Sequence, residues 1–101
     1  MEKRVDLHNL LKSLLGSGNV YYQAPESELM KYPAIRYSKK DVDRKFANNA
    51  AYISKDCYEL IVMDYTPDNP VINKLLALPY CSYDRHYAAE NLNHDVLTIY
   101  Y

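Results

Sequence analysis

The sequence predicts an α+β domain: a mixed, mainly antiparallel sheet with two helices packed on one face, in the order α-β-β-β-α-β-β. Three observations point there. Apolar residues recur at helical spacing near the start of the chain and again beyond Pro70. Runs rich in Tyr, Val and Ile lie between and after them, bounded by Pro, Asn and Asp. A chain of 101 residues has room for one such core, so residues 1–101 form a single domain.

Val5, Leu7, Leu10, Leu11, Leu14 and Leu15 have the one-face spacing of an amphipathic helix over residues 5–15. Gly16 and Gly18 follow as its stop, since glycine accepts the left-handed conformation that ends many helices. Residues 19–24 read as a strand ended by Pro25, and residues 25–32 as an exposed loop carrying Glu26, Glu28 and Lys31. Pro33 suits the start of a second strand over 34–38. Residues 39–49, charged or amide-rich with Phe46 as the one large apolar side chain, read as a projecting loop.

Residues 52–65 are the longest strand candidate. Its centre, Tyr58-Glu59-Leu60-Ile61-Val62-Met63, loses strict alternation, as happens when both faces of a strand are covered. A neighbouring subunit opposite the helices, or helices on both faces, would each give that pattern. Asn69 reads as the cap and Pro70 as the first residue of a second helix marked by Val71, Ile72, Leu75, Leu76 and Leu78 and stopped by Pro79. Residues 80–88 and 94–101 make two final strands, joined through Glu90, Asn91, Leu92 and Asn93.

Charge disfavours nucleic acid as a partner, because 12 Lys and Arg against 13 Asp and Glu leave no basic excess. The longest uncharged apolar run, residues 60–63, is too short to span a bilayer, and no secretory signal follows the charged N-terminus. Cys57 and Cys81 could form a disulfide, but two cysteines without an export signal are more often free thiols in a reducing, cytosolic setting.

Candidate chemistry is thin. Asp84-Arg85-His86, Asn93-His94-Asp95 and either cysteine supply the residue types of a cysteine–histidine enzyme, but neither cysteine sits in a glycine-marked turn or at a helix start. No Cys-x-x-Cys or His-x-x-x-His pair suggests zinc. With two glycines, both near residue 17, no phosphate loop exists. The segment 64–69 lacks the glycine and glutamate of a calcium loop. No catalytic residue, metal or cofactor is expected.

Tyrosine stands out, at 12 of 101 residues with one Phe and no Trp. Its ring gives apolar contact while its hydroxyl keeps a surface soluble before assembly. In Tyr21-Tyr22 and Tyr100-Tyr101 successive rings on a strand must point to opposite faces. About half of the tyrosines are assigned to the core. Tyr21, Tyr22, Tyr37, Tyr65, Tyr83, Tyr87, Tyr100 and Tyr101 are the interface candidates. An alternative uses Tyr21, Tyr37 and the basic residues of 39–45 as a small single-stranded nucleic-acid-binding module.

Taken end to end, the chain resembles the small neck proteins of long-tailed bacteriophages and prophages, in particular the tail terminator (tail-completion) class. The likeness is carried by the leading helix through Leu10, Leu11, Leu14, Leu15 and Gly16, by the strand Tyr32-Pro33-Ala34-Ile35-Arg36-Tyr37, and by the ending from Leu78-Pro79-Tyr80 to Ile99-Tyr100-Tyr101. This resemblance implies a non-enzymatic virion subunit, assembled in the host cytoplasm. It implies a homo-oligomeric ring, typically a hexamer, that caps the tail tube, meets the head connector and surrounds DNA only as a lumen. A head-closure or adaptor subunit of the same neck is the nearby variant.

Overall fold

The computed structural model describes residues 2–23, 31–40, 56–67 and 69–101, with side chains from residue 4 onward. Its elements are α1 (Glu2–Leu15), β1 (Val20–Tyr22), β2 (Ala34–Lys39), β3 (Cys57–Asp64), α2 (Pro70–Leu76), β4 (Cys81–Ala89) and β5 (Leu92–Tyr100). They form an α+β fold with the sheet order β1-β2-β3-β5-β4. β1 runs parallel to β2, and the other three pairings are antiparallel.

α1 turns Leu7 and Leu11 fully inward, with Leu14 and Leu15 packed beside them. The helix starts three residues before the apolar stripe, at Glu2. It stops where the spacing predicts: Gly16 has φ 82° and donates its N–H to the carbonyl of Lys12 at 2.9 Å. Glycine takes that left-handed region at the least conformational cost. β1 is shorter than expected, because Gln23 leaves the strand with φ 48°.

β3 is the central strand, and residues on both of its faces are buried. Tyr58, Leu60 and Val62 lie in one cluster with Leu7 and Leu11 of α1 and Val71 and Leu75 of α2. The register brings Ile35 and Tyr37 of β2 and Leu97 and Ile99 of β5 onto that same face. Both helices therefore pack on one side of the sheet, which removes the alternative of helices on opposite faces. On the other side Cys57 and Met63 of β3, Ala34 of β2 and Val96 of β5 are also buried within the single chain. The broken alternation at 58–63 needs no second subunit to account for it. The first part of the expected 52–65 strand, the 25–32 loop up to residue 30 and the 41–49 loop lie outside the described residues.

The second helix is capped as its sequence predicts. Asn69 accepts the N–H of Val71 on Oδ1 at 2.9 Å, and Pro70 takes the first position. Asn69 also donates from Nδ2 to Asp64 Oδ2 at 2.7 Å, tying the helix start to the end of β3. The last hairpin differs from expectation. Its turn is two residues, Glu90 and Asn91, with φ of 54° and 65°, so β5 starts at Leu92 instead of His94. Two consecutive left-handed residues match the twist of the flanking strands. Tyr80, expected inside the fourth strand, is a left-handed turn residue with φ 63°.

Candidate interaction surface

β4 is a nine-residue edge strand, and every residue from Ser82 to Ala89 is exposed. Among the described residues no strand lies beyond it. Edge strands carry a row of N–H and C=O groups free to pair with another chain, and β4 is the longer of the two edges among the described residues.

The side chains along β4 are held from β5. Tyr83 lies opposite Leu97 and donates its hydroxyl to Asp95 Oδ1 at 2.7 Å. Asp95 is the one buried charged residue among those described, at 8% exposed. The hydrogen bond to Asp95, with burial adding to it, pushes the Tyr83 phenol above its ordinary value. Between Tyr83 and Arg85 the register slips by one residue, a bulge that leaves Asp84 unmatched on β5. Beyond the bulge Tyr87 stacks flat on His94, with centroids 4.6 Å apart and planes at 11°. The guanidinium of Arg85 lies 6.0 Å from the Tyr87 ring and pairs with Asp84 at 2.8 Å. His86 Nε2 is 3.2 Å from Asn93 Oδ1.

The interface candidates divide by face and burial. Tyr83 and Tyr87 on β4 are 44% and 39% exposed, and Tyr65, just past β3, is 63% exposed with its ring edge-on to Tyr32. Tyr21 and Tyr22 point to opposite faces as expected. Tyr22 packs on Tyr37 at 4.8 Å under the Arg4 guanidinium, which sits 4.5 Å from the ring centre, whereas the Tyr21 hydroxyl accepts from the Lys31 N–H at 3.3 Å. Tyr101 packs against the core cluster, and half-buried Tyr100 sits on the other face opposite Cys57. Tyr37 is core. It is 1% exposed, bonded to His8 Nδ1 at 2.8 Å and wedged between Tyr22 and Tyr58, so its ring offers no free surface. Exposed Tyr80 was not among the candidates, because its place in a left-handed turn has no signal in the sequence.

The residues considered for nucleophilic chemistry do not converge. Cys57 is buried on the face opposite the helices, whereas Cys81 lies opposite Ile99 on the helix side, where burial raises its thiol. His86 and His94 likewise occupy opposite faces, paired in register with Asp95 and Met63. Among the described residues no three His, Cys, Asp or Glu side chains are placed to hold a metal ion. No described helix is long and apolar enough to cross a membrane. Comparison with protein families, curated proteins and solved structures finds no match.

Proposed function

We propose that this chain is a non-enzymatic structural subunit of a bacteriophage head–tail neck, a tail terminator that forms a ring, caps the tail tube and joins it to the head connector. The observation that carries the reading is β4: a long edge strand, exposed from Ser82 to Ala89 and bearing Tyr83 and Tyr87, on a fold whose central strand already has buried residues on both faces. A surface of that kind suits contact with other protein chains better than turnover of a small substrate. The likeness of the leading helix, the Tyr32–Tyr37 strand and the closing hairpin to neck proteins supplies the particular assembly. In it the subunit resides in the virion neck, arranged as a hexamer, with DNA passing through the lumen. The test is to mix the purified chain with tail-tube protein from the same phage or prophage and image the product by negative stain. Rings seated at tube ends support the reading, and tubes left bare at every ratio overturn it.

A further inference from the structure

The bulge in β4 changes which of its residues face outward, and the result is a self-complementary edge. Across an antiparallel pair, residues alternate between those bonded to the neighbouring strand and those whose N–H and C=O point away. Ala89 and Leu92 flank the two-residue turn, so they bond each other, as do Tyr87 with His94 and Arg85 with Val96. That leaves His86 and Ala88 facing outward. From the other end, the Tyr100 N–H donates to the Tyr80 carbonyl at 3.0 Å, so Ser82 bonds Thr98 and the outward residues are Cys81 and Tyr83.

In a regular strand the outward residues are all odd or all even, and a two-fold axis must pass through a residue. Here the extra residue shifts the parity. Cys81 and Tyr83 on one side mirror Ala88 and His86 on the other, about a point between Asp84 and Arg85. A second copy laid antiparallel about that point brings Tyr83 opposite His86 of the second copy, and Cys81 opposite its Ala88. Tyr83 and His86 both lie on the helix side of their own sheet, since they face Leu97 and Asp95. Facing side chains therefore share a face, as ladder pairing requires. At the axis Asp84 meets Arg85 of the second copy, and Arg85 meets its Asp84, so opposite charges pair twice. Both side chains are exposed and already adjacent, at 2.8 Å.

We infer that two copies of this chain pair β4 to β4, antiparallel about the Asp84–Arg85 step, into one continuous sheet. A chain at net charge −1 has little repulsion to oppose it. A bulge often blunts an edge. In β4 it is the feature that makes the two halves of the edge match. A ring whose subunits all point one way is built from head-to-tail contacts, so this two-fold contact belongs to the protein before it joins an assembly. It rests on β4 alone and does not require the neck reading.

The test is sedimentation velocity on the wild type, Asp84→Arg, Arg85→Asp and the charge-swapped double variant Asp84→Arg/Arg85→Asp. The wild type is expected to be a dimer. Each single reversal places like charges across the axis and weakens dimerisation by more than about tenfold. The double variant restores the dimer, and the two single variants mixed together form a heterodimer. On the unaltered protein, amide exchange at His86 and Ala88 slows as concentration rises. A monomeric wild type at its highest soluble concentration overturns the inference. So does a dimer, or a larger ring, that is indifferent to both reversals; a ring of that kind leaves the neck reading standing.

Discussion

The hydroxyl of Tyr83 donates to Asp95 Oδ1 at 2.7 Å, joining an exposed ring on the edge strand to the one buried charge among the described residues. The same bond fixes the Tyr83 ring against β5, so the rotamer presented along the edge is set by an interior group. Tyr83→Phe removes the donor and leaves Asp95 short of a partner. We expect a loss of about 1 kcal/mol, at the low end for a buried acceptor because water reaches the site, seen as a lower urea midpoint with an unchanged slope.

Tyr37 and Tyr58 are pushed up chiefly by burial and Tyr83 by its bond to Asp95. A phenol with a raised folded-state value keeps its proton longer in the folded chain than in the unfolded one. Its contribution is complete below the unfolded value near pH 10 and is lost as pH rises through the folded value. Urea midpoints should therefore fall steeply above about pH 10, and less steeply in Tyr83→Phe. Equal slopes in the two proteins would contradict the assignment of Tyr83.

His8 behaves in the opposite sense. Burial, then Lys12 and Arg4, lower its pKa, so the unfolded chain binds the proton more readily. Stability should decline as pH falls from about 6.5 through the folded value. An NMR titration of the His8 ring is expected to show a midpoint below that of an unstructured peptide, and His8→Gln should remove this part of the acid-side decline.

α2 rests on the sheet through Leu75, which is fully buried, and on its cap. Leu75→Ala should cost about 2–5 kcal/mol by lost transfer energy and the cavity left behind. Asn69→Ala should cost about 0.5–2 kcal/mol by leaving the Val71 N–H uncapped. Thermal melts should rank the two variants in that order.

Much of this fold was legible where local chemistry decides. The leucine spacing of α1, the Gly16 stop and the Asn69-Pro70 start each combine a pattern with a backbone requirement that few residues meet. The Glu90–Asn91 turn is two residues shorter than its sequence suggests, because no glycine marks its left-handed backbone and Glu is an unusual choice there. Without that turn, neither the register that joins Tyr83 to Asp95 nor the bulge at Asp84 can be placed. The tyrosines carry the weakest local signal. Tyr37 and Tyr58 are core because the register directs both under the helices, a pairing of strands distant in sequence, such as Tyr37 with Leu60. Nothing within either segment distinguishes them from Tyr83 or Tyr87.

The central claim is that the exposed β4 surface exists for assembly. Tyr87 tests it well, because its ring is exposed and stacked on His94, so removing it should disturb the fold by less than about 1 kcal/mol. The decisive measurement is cosedimentation of the wild type and Tyr87→Ala with assembled tail-tube protein, with circular dichroism confirming that both are folded. The account predicts that the wild type pellets with the tubes and that the variant stays largely in the supernatant. A wild type that remains soluble beside the tubes, or a variant that binds equally well, would contradict it.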